Sequence, residues 1–293
     1  MKITWQKNDA KEVTLKNFLL RQGVSQRLYG KIKKGYGTVY LDGVKTAVPV
    51  LLPKKVELTL ELPPDPPEEH VAPSFAPITI LYEDEHWIVV DKPAGLTSVP
   101  GPSNQTDTLV NRVKGYLITK KDGTQTPRII TRLDRYTSGV VLFAKHSFGQ
   151  TLLAKQKAML DKRYLALVFG KVTPEHGLIE EPLGRLADSF CYGVVSDGKP
   201  AKTEYWVKGH AHETSLVAVK LHTGRTHQIR VHFSANGHPL LGDKLYGGSQ
   251  ELIARQALHA QKLDFIDPFT AKKMTFEAPL PPDMQTLIEH LGL

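Results

Sequence analysis

Residues 131–145 read TRLDRYTSGVVLFAK. One carboxylate, Asp134, stands between Arg132 and Arg135; a turn-forming Thr137-Ser138-Gly139 follows, and then an apolar run that reads as a buried strand. Working outward, FGQTLLAKQKAML (148–160) has the spacing of an amphipathic helix and KRYLALVFG (162–170) that of another strand. Upstream, ITILYEDEHWIVVDKPAG (78–95) reads as two strands about a turn, with Lys92-Pro93-Ala94-Gly95 turning the chain out of the second, and DTLVNRVKGYL (107–117) reads as a helix. Strands and helices mix without strict alternation. The pattern predicts an α+β fold on a mixed, mostly antiparallel sheet rather than a doubly wound one.

Three segments put polar residues where the pattern asks for apolar ones. Asp134 precedes a buried strand. Tyr164 alternates with Ala166 and Val168, so its ring faces the way core residues face. In LHTGRTHQIRVHFSANG (221–237), Thr226 is expected to cap a helix that ends at Gly237, with Ile229 and Phe233 inward and Arg230 beside them. Each has an ordinary reading: an Asp–Arg pair can be purely structural, and a strand tyrosine is usually core with its hydroxyl hydrogen-bonded. His222, His227, His232 and His238 resemble a metal cluster, but their spacing scatters them around a strand or helix, so no metal is expected. No phosphate loop or dinucleotide fingerprint is present in the sequence, and no organic cofactor is expected.

The 293 residues suit two domains; 41% are hydrophobic and 23% charged, and no apolar run is long enough to span a bilayer. The start lacks a secretory apolar core, and the single cysteine, Cys191, excludes an internal disulfide, so a reducing cytoplasm is the expected setting. Net charge is +8, and residues 1–63 carry twelve Lys/Arg against five Asp/Glu. Thr14 is placed to cap a helix with Leu15, Phe18 and Leu19 inward and Gly23 at its end. Ser25 caps a second, with Leu28 and Ile32 buried and Gly35 at its end. Arg21 on the first helix, and Arg27, Lys31 and Lys34 on the second, then form a basic patch, which on charge alone reads equally as a solvated face. TVYL, the hairpin signal Asp42-Gly43 and the alternating VELTLEL complete a small α/β unit. The expected organisation is a small basic domain at 1–63, a proline-rich extended linker at 64–79 and a second domain at 80–293.

The run LKNFLLRQGVSQRLYGKIKKGYGTVYLDG (15–43) resembles the small RNA-binding domain named after the fourth small-subunit ribosomal protein. Residues 80–285 resemble the catalytic domain of the RluA class of RNA pseudouridine synthases. The likeness runs in order through ILYEDEHWIVVDKPAGL, RLDRYTSGVVLFAK, KRYLALVFG, GKPAKTEYWV, TGRTHQIRVHFSANGHPLLGDKLYG, LHAQKLDF and FEAPLPPDM. It implies a mostly antiparallel sheet with an RNA cleft across it and an isomerase that works without metal or organic cofactor. By resemblance, Asp134 is the catalytic aspartate, Tyr164 packs on the target base and helps remove its proton, and Arg230 pairs with the aspartate. Arg132 is associated with filling the gap left by the flipped nucleotide, and Arg135 keeps a surface reading. Thr131 stands where the family often has histidine. The expected partner is ribosomal or transfer RNA, with no membrane and a monomeric state; the alternative is an RNA-binding or ribosome-assembly factor whose site is dispensable.

The residue types suit that chemistry on physical grounds. A uracil must leave its stack, at a cost of a few kcal/mol that cations and a stacking ring offset. A carboxylate starts from a pKa of about 3.9, and a neighbouring guanidinium keeps it ionised where burial would raise that value.

Overall fold

The structure is a computed structural model and describes residues 1–8, 10–102, 104–120, 126–156, 160–187 and 191–293. Among these residues the largest sheet runs His176–Ile179, Thr203–Ala211, Thr214–Leu221, Asp161–Phe169, Leu258–Ile266, Ser138–Ala144, Trp87–Lys92 and Thr79–Glu83. Lys273–Glu277 and Arg128–Ile129 pair beside this path. Only Ser138–Ala144 against Leu258–Ile266 is parallel among the described pairs. The sheet is therefore mixed and mostly antiparallel, as the unalternating pattern predicts. No described helix is long and apolar enough to cross a membrane.

Ser138–Ala144 is buried at every position, which its unbroken apolar run requires of a strand covered on both faces. Val141 and Phe143 join one core with Ile88 and Val90, and Val140 and Leu142 join another with Trp87 and Val89. The helix Leu109–Lys120 and the helix Gln228–Ala235 cover the first core with Leu109, Val113 and Leu117, and with Ile229 and Phe233. This side of the sheet holds Tyr164.

Two local readings change. The turn before the central strand closes on Thr137, whose N–H donates to the Asp134 carbonyl at 3.1 Å, and Ser138 and Gly139 already belong to the strand. Gly139 has φ +113°, and a Cβ there would lie 2.2 Å from the Ala260 carbonyl oxygen, so the glycine permits the parallel strand to approach. Second, Thr226 does not cap the helix at 228–235: its cap position is His227, in left-handed backbone at φ +57° with no side-chain cap bond.

The N-terminal segment folds on its own four-stranded sheet, ordered Lys2–Asn8, Lys55–Glu61, Thr38–Leu41, Val44–Thr46. Thr14 and Ser25 cap the helices Leu15–Arg21 and Gln26–Lys33, accepting from the Asn17 and Leu28 N–H. Tyr29 joins Ile32 as a buried residue where Leu28 was expected, and Leu28 is only half-buried. The strand Lys2–Asn8 has no counterpart in the sequence reading because Lys7 occupies one of its core positions. Its ammonium is bonded there by the carbonyls of Lys11, Pro53 and Lys54.

Phe148 and Leu152, from the helix Ser147–Lys155, pack into this N-terminal core. Residues 64–78 form no helix or strand, and they are clasped rather than free. Asp65 accepts from the Ser147 N–H and hydroxyl, Arg128 pairs with Glu68, and the Lys114 ammonium donates to the carbonyls of Glu68 and Val71.

Candidate active site

Asp134 lies in a short loop that three groups hold by its carbonyls. Ser98 Oγ donates to the Leu133 carbonyl at 2.6 Å and accepts the Leu133 N–H at 3.1 Å. The buried Lys92 ammonium donates to the carbonyls of Pro93, Leu96 and Arg135 at 2.8–3.0 Å. Arg255 donates to the Tyr136 carbonyl at 3.1 Å while its guanidinium is gripped by Asp283. Burial pulls the Lys92 pKa down to about 7, against the opposing charge of Asp134, yet three carbonyls around one nitrogen are the partners an ammonium needs. The Lys92-Pro93-Ala94-Gly95 turn thus shapes the aspartate loop, a role that its sequence reading as a simple turn did not include.

Arg230 meets the carboxylate from the helix Gln228–Ala235, with Nη1 at 3.1 Å from Asp134 Oδ2. Its stronger grip is elsewhere. Nε and Nη2 bind the two oxygens of Asp243 at 2.7 and 2.8 Å, and the side chains of Arg230 and Asp243 are 7% and 1% exposed. Burial works against the guanidinium charge, but Asp243 and then Asp134 outweigh it and raise the Arg230 pKa. Asp243 is therefore the fixed anchor and Asp134, 26% exposed, is the carboxylate left facing solvent. The sequence reading did not single out Asp243, which lies inside GDKLYG.

Tyr164 lies on Asp161–Phe169 at a bulge, where Ala260 and Gln261 of the neighbouring strand stand opposite it alone. Bulges of this kind re-aim a side chain. Among the described residues no hydrogen bond reaches its hydroxyl, contrary to the usual core tyrosine, and burial followed by the Asp134 charge pushes its pKa up. It is a phenol at neutral pH.

These three residues, far apart in sequence, line one cavity of about 400 Å³. Arg132 is exposed and lines it, with Lys162 and Arg225. Arg135 also borders the cavity but is exposed, donating to the Gly95 carbonyl and lying over the Tyr136 ring. Thr131 Oγ1 accepts the Leu142 N–H at 2.9 Å, which occupies it in the backbone of the central strand. Arg21, Arg27, Lys31 and Lys34 are exposed on the N-terminal helices and outside the cavity. The four histidines separate: His222 binds Glu204, His232 binds Thr203 and the Glu181 carbonyl, and His238 binds the Phe169 carbonyl. Only His227 lines the cavity.

Residues 86–235 match the family model described as RNA pseudouridylate synthase. A Bacillus subtilis (strain 168) protein called uncharacterized RNA pseudouridine synthase YjbO is 39% identical over 281 residues, 94% of this chain and 99% of its own. The chain belongs to the RNA pseudouridylate synthase family. It is an isomerase that acts on RNA. Ribosomal large subunit pseudouridine synthase D of Zymomonas mobilis is 39% identical over 245 residues, covering 78% of this chain and 77% of its own. Among solved structures, human RNA Pseudouridylate Synthase Domain Containing 1 superposes with a TM-score of 0.59 at 26% identity, over 73% of this chain and 89% of that one. The pseudouridine synthase sheet is thus shared well beyond the bacterial relatives.

Proposed function

We propose that this synthase isomerises a uridine of structured RNA, ribosomal RNA first, through a flipped-out base, with Asp134 as the acting carboxylate. The observation that carries this reading is the meeting of Asp134, Arg230 and Tyr164 in one cavity. Ribosomal RNA is favoured over transfer RNA by the relatives called ribosomal large subunit pseudouridine synthase D. In the reaction the bond from N1 to the sugar C1′ breaks and one from C5 to C1′ forms. C5 loses its proton and N1 gains one, so no electrons are exchanged with a cofactor. Asp134 assists cleavage of the first bond, Arg230 holds it through the bond at 3.1 Å, and Tyr164 forms the flat wall against which the freed base turns.

Tyr164 is a phenol at neutral pH, held so first by burial and then by the Asp134 charge, and this protonation state suits the wall against which the base turns. Arg132, exposed at the cavity rim, fills the gap left in the RNA stack. A test is to map pseudouridines across cellular RNA with and without the gene. One or more ribosomal positions lost on deletion is the expected result, and an unchanged ribosomal map sinks the ribosomal assignment.

We assign RNA phosphate contacts to Arg21, Arg27, Lys31 and Lys34 in a domain spanning 1–63, joined through 64–79 to the catalytic domain at 80–293. Deleting that domain would uncover Phe148 and Leu152, so charge removal is the cleaner test. Changing all four to glutamine should weaken RNA binding and flatten the slope of log K against log salt by about 3. Equal slopes in a filter-binding titration would refute the phosphate role.

A further inference from the structure

We propose that His227 is a positioning residue for the isomerisation, holding Asp134 so that Oδ1 is the oxygen presented to the nucleotide. The inference rests on Asp134 being the acting carboxylate.

His227 Nδ1 is 2.7 Å from the Tyr246 hydroxyl, and that oxygen also accepts the Tyr192 N–H at 3.1 Å. The hydroxyl can donate its hydrogen to Nδ1 while its oxygen keeps the Tyr192 N–H, and this arrangement places the imidazole proton on Nε2, facing Asp134. Nε2 is 3.9 Å from Asp134 Oδ2. Both ends of the ring therefore call for the same tautomer: an O–H donor behind and a carboxylate in front.

The surroundings agree. Burial pushes the Tyr246 pKa up to about 12, so it keeps its proton, and burial is the first cause lowering that of His227, which is neutral. The Tyr246 ring stands edge-on to His227 at 5.6 Å and under the Arg230 guanidinium at 4.9 Å, so one side chain braces both groups that approach Asp134. His227 also adopts the left-handed backbone, φ +57°, which a bulky residue holds only where its surroundings impose it.

The polar contacts to the Asp134 carboxylate, among the described residues, all fall on Oδ2. Arg230 and His227 together fix the rotation of the carboxylate about its own axis. Closure of Nε2–H onto Oδ2 by about 1 Å, when RNA displaces water from the cavity, would complete the pair of donors.

The test uses the full chain and RNA labelled with tritium at uridine C5, taken from cells of the source organism that lack the gene. His227→Ala should lower kcat about tenfold with KM within about twofold, the loss of one hydrogen bond to a charged group. His227→Gln carries an amide N–H as far from its backbone as Nε2, shares the left-handed strain, and should recover most of that loss. Tyr246→Phe keeps the ring and its packing and should lower kcat about threefold or more by releasing the tautomer. Wild-type kcat in His227→Ala or Tyr246→Phe, a loss confined to KM, or a glutamine variant as impaired as the alanine one overturns the proposal. Asp134→Asn is run beside them. If it is inactive and His227→Ala is fully active, the role of His227 alone falls; if it is active, both readings fall.

Discussion

Replacing Asp134 by asparagine should reduce tritium release from uridine-labelled RNA by a factor on the order of a thousand or more, with RNA affinity within a few-fold of wild type. Asparagine has the same shape and neither the charge nor the basicity that cleavage of the glycosidic bond asks for. The substitution should not disturb the fold, because Arg230 keeps both of its bonds to Asp243 and gives up only the single contact at 3.1 Å. The loop should also stay in place, since Ser98, Lys92 and Arg255 hold its backbone carbonyls rather than the Asp134 side chain. Tritium release together with filter binding separates the two effects. A residual rate within tenfold of wild type would show that Asp134 is not the acting carboxylate.

Asp243→Ala should fail in the opposite manner, through the fold. It leaves the Arg230 guanidinium buried with only Asp134 for a partner, and stranding a buried charge in this way costs about 3–5 kcal/mol. In a thermal melt that corresponds to a fall of roughly 10 °C for a chain of this size. Activity should fall as well, because Arg230 loses the anchor that sets its direction toward Asp134. A double change, Arg230→Met with Asp243→Leu, removes both charges and should regain much of the stability while remaining inactive. A single Asp243→Ala variant that melts with wild type would mean that water or a nearby group compensates Arg230, and the anchoring role would be lost. Stability and catalysis are thus assigned to different carboxylates on the same arginine.

Much of the local structure was legible because it depends on neighbours in sequence. The caps at Thr14 and Ser25, the hairpin at Asp42-Gly43 and the buried run after Gly139 follow from short-range hydrogen bonding and from spacing. The candidates Asp134, Tyr164 and Arg230 were visible as polar residues in apolar patterns, and their family resemblance supplied roles that pattern alone does not. The strand at Lys2–Asn8 was hidden for the converse reason, since Lys7 at a core position breaks the alternation and is satisfied by carbonyls more than forty residues away at Pro53 and Lys54.

By itself, the sequence determined the class of fold and many of its local elements and marked Asp134 as a polar residue out of place, because burial periodicity and turn chemistry are written within windows of a few residues. Only the tertiary structure decided which partner each charge takes. Arg230 belongs first to Asp243 and only then to Asp134; His227 is paired with the Tyr246 hydroxyl; and the aspartate loop owes its shape to Lys92, Ser98 and Arg255. A hydrogen bond depends on tenths of an ångström between groups that the chain brings together from distant positions, and no local pattern carries that distance.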